Sequence, residues 1–155
     1  AGTELGHTVI EQNGNFCTCG RRGCLEAYAS ATALIKNTKE VMSENPNSKM
    51  WKGYTLDTVD GKTAFDYPED FAARTVVEWY VKHLACGIIN FVNVFRPQVV
   101  MLGGGISKQG ERLTSPLQKI LDAEIFGGQS FAPVKIVTAS LGSRAGAFGA
   151  ASLCI

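Results

Sequence analysis

Three thiols and an imidazole fall within eighteen residues near one end of the chain, as His7, Cys17, Cys19 and Cys24 in the spacing H-x₉-C-x-C-x₄-C. Thiolates and imidazole are the ligands zinc prefers, and four protein ligands make a closed, structural site rather than a catalytic one. Gly20 and Gly23 lie between the second and third thiols, where a chain wrapping an ion needs tight, unhindered turns. The competing reading is three reduced thiols beside a histidine satisfied elsewhere. An iron–sulfur cluster fits less well, because its usual four-cysteine spacing is missing. Five cysteines in all make an odd count, a poor match to a closed disulfide framework and a better one to a reducing cytosol. Cys86 and Cys154 sit in apolar helical patterns and are expected in the core.

The rest of the composition narrows the class. At 155 residues, 45% hydrophobic and 19% charged, the chain suits one globular domain. A net charge of +1, with Arg21–Arg22 as the densest basic spot, argues against a nucleic-acid footprint. No apolar run reaches the roughly 18–20 residues of a membrane span, and no basic-then-apolar leader is seen, so a cytoplasmic protein is expected. The chain opens on Ala1 and its most chemical segment begins at once. A site built there needs walls from elsewhere, so we expect the second half of a larger protein.

Periodicity then orders the elements. A short strand is expected at residues 6–11. From Leu25 the apolar positions Tyr28, Ala29, Leu34, Ile35, Val41 and Met42 recur at helical spacing, until Pro46 forbids continuation. A loop follows, with a short helix near residues 63–65. A long helix is expected over residues 68–93, with Pro68 in its first turn and Glu69 and Asp70 at its N-terminus. "RPQVVMLGGG" reads as a buried strand at 98–102 running into three glycines. A second helical region, a strand at 134–140 and a small-residue terminal helix complete an α/β order.

"ELGH" followed by "CTCGRRGCLE" closely resembles the signature of the ROK family, which comprises bacterial-type sugar kinases and sugar-responsive repressors. The resemblance implies that His7, Cys17, Cys19 and Cys24 hold a structural zinc. It also implies that Glu4, His7 and Glu26 are ligands for sugar hydroxyls. Both roles make physical sense: a carboxylate accepts hydrogen bonds from neighbouring hydroxyls, and a metal-held imidazole presents its other nitrogen in a fixed direction. Without the resemblance, Glu4 would read as a solvated loop carboxylate and Glu26 as a charge favoured at a helix N-terminus.

Gly103, Gly104 and Gly105 end the apolar strand ahead of a helix. Such glycines let a ligand approach the backbone, yet a tight strand-to-helix turn explains them equally well. The run matches neither G-x-x-x-x-G-K-[ST] nor G-x-G-x-x-G. The resemblance sharpens it: ROK kinases have the actin-like ATPase (ribonuclease H-like) fold, and a similar "LGGG" forms part of their adenosine-binding wall. The tail "LGSRAGAFGAASL" also resembles the family's terminal motif, but Ser143 and Arg144 stand where Asn and Asp are expected, and receive no role. Gly146 and Gly149 are read as close helix packing.

The resemblance covers nearly the whole chain and is most specific at residues 4–7 and 17–26. It implies an α/β chain forming the C-terminal half of a two-domain kinase, with ATP, Mg²⁺ and a hexose, glucose foremost, as ligands. The family's phosphate loop and its aspartate base precede this segment, so no catalytic residue is assigned and the fragment alone should be inactive. The remaining N-terminal domain and a second copy, in a dimer or tetramer, are the expected protein partners. The alternative is the effector-binding half of a sugar-responsive repressor. His83, within the long helix, is expected to be structural.

Overall fold

Asp70 sets the start of the longest element. Its backbone is extended, and its carboxylate accepts from the Ala73 amide at 2.9 Å, an N-cap that begins α3 (Phe71–Phe95) in the computed structural model. Pro68 therefore lies outside the helix it was expected to open. Ala72, Ala73, Val76, Tyr80, Val81, Ala85, Ile88, Ile89 and Val92 are buried at spacings of three and four, so α3 is the spine of the core. It stops where Arg96 turns left-handed at φ 48°. The structure describes residues 2–131 and 133–153.

Two helices run before α3: α1 (Glu26–Ala29) and α2 (Ala31–Glu44). They were expected as one. Ser30 separates them because its backbone is extended, with ψ 164°, and its hydroxyl accepts from the Ala33 amide at 3.0 Å. A helix-capping side chain thus interrupts an otherwise continuous apolar pattern. Leu34 and Met42 of α2 face α3, and the short turn Thr63–Asp66 packs Ala64 and Phe65 beneath it.

After α3 come β1 (Val99–Leu102), α4 (Glu111–Glu124), α5 (Gly128–Phe131), β2 (Lys135–Thr138) and α6 (Ala145–Ser152). β1 and β2 pair in parallel, Val99 opposite Lys135 and Leu102 opposite Thr138, joined by α4 as a crossover. Leu113, Leu117 and Leu121 of α4 close the core from the other side of α3.

Several expectations are corrected. Residues 6–11 form no strand: Leu5–His7 is a 3₁₀ turn, and Val9 makes only an isolated antiparallel bridge to Cys24. Among the described residues β1 is buried on one face only: Val100 and Leu102 pack against the core, while Val99 and Met101 are exposed. Cys86 is exposed, since its neighbours Ala85, Ile88 and Ile89 occupy the buried phase of α3. Gly146 and Gly149 show no close helix packing among the described residues, where a Cβ on either would meet no atom within 4 Å beyond their own helix and chain neighbours. Cys154 lies outside the described residues. No helix among those described is long and apolar enough to cross a membrane.

Candidate metal and ligand site

The cysteine segment folds by backbone cross-bonds before any side-chain chemistry enters. The Cys17 amide donates to the Arg21 carbonyl at 2.8 Å, and the Gly20 amide to the Cys17 carbonyl at 2.9 Å. This knuckle needs Gly20 at φ 89°. Gly23, at φ 78°, is more constrained, because a Cβ there would overlap the Glu11 carbonyl. The Gly23 carbonyl accepts from both the Ile10 and Glu11 amides, and the Leu25 amide reaches the Thr8 carbonyl at 2.8 Å. These bonds lay the Leu5–His7 turn across the thiols.

The four candidate ligands converge as the spacing predicts. One atom from each of His7, Cys17, Cys19 and Cys24 lies within 4.8 Å of all the others. The Cys17 sulfur is 3.6 Å from His7 Nδ1, and the Cys19 and Cys24 sulfurs are 3.7 Å apart. Around a tetrahedral zinc, with Zn–S about 2.3 Å and Zn–N about 2.0–2.1 Å, such pairs stand about 3.6 and 3.8 Å apart. The donor set and its spacing fit that ion.

Electrostatics differ across the cluster. The Arg21 backbone amide, hydrogen-bonded to the Cys19 sulfur, lowers that thiol below its ordinary value. Cys24 is fully buried, and burial pushes it up to about 11. A bound cation would hold both as thiolates. Arg21 donates to the His7 carbonyl at 3.2 Å and Arg22 to the Gly14 carbonyl at 3.4 Å, so both brace the loop.

Of the expected sugar ligands, Glu26 lines a cleft beside this cluster, and Glu4 and His7 are not among that cleft's lining residues. Glu4 is exposed at the head of the Leu5–His7 turn, and Glu26 is the first residue of α1. The turn passes over Glu26, since a Cβ on Gly6 would sit 3.5 Å from Glu26 Oε2. Thr18 donates to Glu26 Oε1 at 3.2 Å. His7 turns Nδ1 to the thiols, leaving Nε2 for a ligand. Glu26 and Thr18 line a cleft of about 640 Å³ that continues along α2 past Ser30 and Asn37.

The glycine run stands apart from these groups, at the C-terminal end of β1. Gly103, Gly104 and Gly105 are exposed, Gly104 has φ 84°, and a Cβ on any of them would meet no atom of the described residues within 4 Å beyond its chain neighbours. The Ala139 amide donates to the Leu102 carbonyl, so both strands end at this crevice, the usual ligand position in open α/β sheets. Gly105 lines a second cleft, of about 350 Å³, whose other wall is Asp60, Gly61 and Lys62. Sequence reasoning missed that wall, because forty residues separate it from the glycines and no local pattern links them. Ala31 lines the glycine cleft while Ser30 and Thr32 line the cleft of Glu26, so the start of α2 divides the two.

His83 is structural. Its ring stacks on Tyr28 with centroids 4.7 Å apart, and its Nδ1 is 2.7 Å from the Trp79 carbonyl. Trp51 anchors the middle loop, its indole N–H donating to the Met42 and Asn45 carbonyls.

The chain resembles known proteins along nearly its whole length. The ROK family profile matches residues 1–155. The chain is 38% identical to a glucokinase of Thermotoga maritima over 98% of its own length and 49% of that protein's. It is 27% identical to a xylose repressor of Caldicellulosiruptor bescii, covering 98% of the chain and 38% of that protein. A ROK glucokinase from Streptomyces griseus, solved with glucose and AMPPNP, superimposes with a TM-score of 0.84 at 28% identity, over 97% of this chain and 50% of that one. The chain spans about half the length of the curated relatives it matches. The fold is that of the actin-like ATPase sugar kinases.

Proposed function

The chain belongs to the ROK family, and from that premise we propose that it forms the C-terminal half of an ATP-dependent hexose kinase, with glucose as the substrate. The observation that carries this reading is the His7 and cysteine cluster beside Glu26, on a turn that Glu4 opens, with an exposed glycine loop on the other side of α2. The similarity to a glucokinase solved with glucose and AMPPNP supports it.

In this reading zinc, held by His7, Cys17, Cys19 and Cys24, supplies a structural clamp and no reaction chemistry. Glu4 and Glu26 accept hydrogen bonds from sugar hydroxyls, and His7 Nε2 adds a third fixed direction. Thr18, donating to one Glu26 oxygen, orients that carboxylate and leaves the other for the sugar. Gly103, Gly104 and Gly105, lacking side chains, let the nucleotide approach the backbone. Phosphoryl transfer further requires a base, Mg²⁺ and a phosphate cradle, which the remainder of the protein supplies. The expected setting is a cytoplasmic homo-oligomer.

A second reading is the effector-binding half of a sugar-responsive repressor, favoured by the xylose repressor match over the same span. The two are separated by a coupled assay for ADP release from the intact protein with ATP, Mg²⁺ and a panel of hexoses. Turnover with glucose is expected. No turnover with any hexose, from folded and metal-loaded protein, would transfer the assignment to the repressor.

A further inference from the structure

We propose that Tyr28 is a positioning residue for the metal cluster: its hydroxyl oxygen fixes the cysteine loop in ligating geometry, and its ring fixes that oxygen to α3. This rests on the reading of His7, Cys17, Cys19 and Cys24 as metal ligands. It adds a residue outside the four donors, on the same short helix as Glu26.

The hydroxyl meets the loop at its base. Tyr28 Oη accepts from the Asn15 amide at 2.7 Å, and the Asn15 carbonyl in turn accepts from the Gly23 amide at 2.8 Å. Asn15 lies two residues before Cys17, and Gly23 one before Cys24. One oxygen therefore ties down both arms of the loop close to their ligands. Gly14 shows how tight the approach is. Its φ lies outside the left-handed region, yet a Cβ there would overlap Tyr28 Oη and crowd the Glu11 side chain. Contact, not backbone conformation, is what excludes a side chain at Gly14.

The ring behind that oxygen is held from several directions. Tyr28 is 6% exposed and stacks on His83 with the two rings 9° from parallel. A carbonyl only accepts, so His83 Nδ1 carries the proton it gives to the Trp79 carbonyl, and that bond locks the imidazole in turn. Trp79 adds a tilted ring contact to Tyr28 at 5.9 Å. One turn further along α3, Leu25 seats on Gly87, where a Cβ would collide with the leucine side chain. Tyr28 and Leu25 thus clamp α1 to α3 at successive turns. The Tyr28 oxygen stands where an outer partner of a metal site is effective, on rigid structure and bonded to the segment that bears the ligands.

The test is zinc titration of the metal-stripped intact protein in competition with a chromophoric chelator. Tyr28→Phe keeps the ring and its stack and removes only the oxygen. It should weaken zinc by about tenfold, as loss of an outer-shell partner does. Gly14→Ala, which displaces the same oxygen from the loop side, should weaken zinc at least as much. In the Tyr28→Phe background most of that second loss should vanish, because the atom the methyl meets is gone. A role in stability alone would lower the melting temperature of Tyr28→Phe and leave its zinc affinity unchanged, and that result overturns the proposal. Losses that simply add in the double variant overturn it too. An unmodified protein that binds no zinc removes the metal reading itself, and the proposal with it. Normal zinc binding by the unmodified protein and by both single variants removes the proposal alone.

Discussion

The cysteine segment and the β1–β2 sheet, at opposite ends of the chain, are built on opposite principles. Residues 5–25 bury little apolar side chain, yet every turn is fixed by a backbone bond, a glycine or a candidate metal ligand. In the sheet the apolar strand β1 leaves Val99 and Met101 half or more exposed, and it is held by pairing with β2 and by α4 packed on one side. Chain entropy is overcome at one end by directional bonds around a tight loop, and at the other by strand pairing together with burial under α4. The first kind of structure should fail at single atoms and the second should yield gradually.

The sharpest break should come at Gly23. Gly23→Ala puts a methyl into the Glu11 carbonyl on a left-handed backbone, and backbone cannot move aside cheaply. A loss of about 3 kcal/mol or more is expected by urea melt, and an effect under about 1 kcal/mol would mean the loop is softer than drawn. Next is Leu117→Ala, which opens a cavity under α4 and should cost about 3 kcal/mol, against about 0.5 kcal/mol or less for Met101→Ala on the open sheet face. Equal losses at those two positions would erase the contrast in burial.

Cys19→Ala tests whether the cysteine end depends on an ion. Purified protein should carry about one zinc per chain, and the variant should lose it together with about 2 kcal/mol of stability. Metal-free protein with an unshifted melt would leave the loop held by its backbone bonds alone.

The smallest effect concerns acid. Burial alone would raise the Asp70 carboxyl, but the Lys49 and Ala73 amides and the Ser48 hydroxyl hold it below its ordinary 3.8. A carboxyl lowered by folding contributes stability that is whole above about pH 5 and fades as pH falls through the folded value. Asp70→Asn should cost about 1 kcal/mol at neutral pH and flatten the acid arm of the stability curve. An acid arm identical to that of the unmodified protein would remove Asp70 from the account.

What could be read in advance follows the same division. The zinc-type cluster was legible because its ligands lie close in sequence and their chemistry is distinctive. α3 was legible because its apolar positions hold helical phase for many turns. The break at Ser30 was not, since one hydroxyl capping a helix leaves the apolar periodicity untouched. Nor was the exposure of β1, because "VVML" reads the same whether or not a neighbour covers it. The Asp60–Lys62 wall is a product of tertiary folding, and nothing near Gly105 in sequence announces it.

Tyr28 takes a hydrogen bond from the Asn15 amide at 2.7 Å and stacks on His83, whose ring lies 4.5 Å from that of Trp79. The cysteine loop is thereby wired to an indole. Trp51, the other tryptophan, is tied by its N–H to the Met42 and Asn45 carbonyls and has no ring contact with that stack among the described residues. The emission of Trp79 is therefore expected to respond to the loop, and that of Trp51 to serve as a reference. Loading or stripping the cluster should then shift the tryptophan emission of the unlabelled chain, and an unchanged spectrum would show that the stack does not carry the loop's state to Trp79.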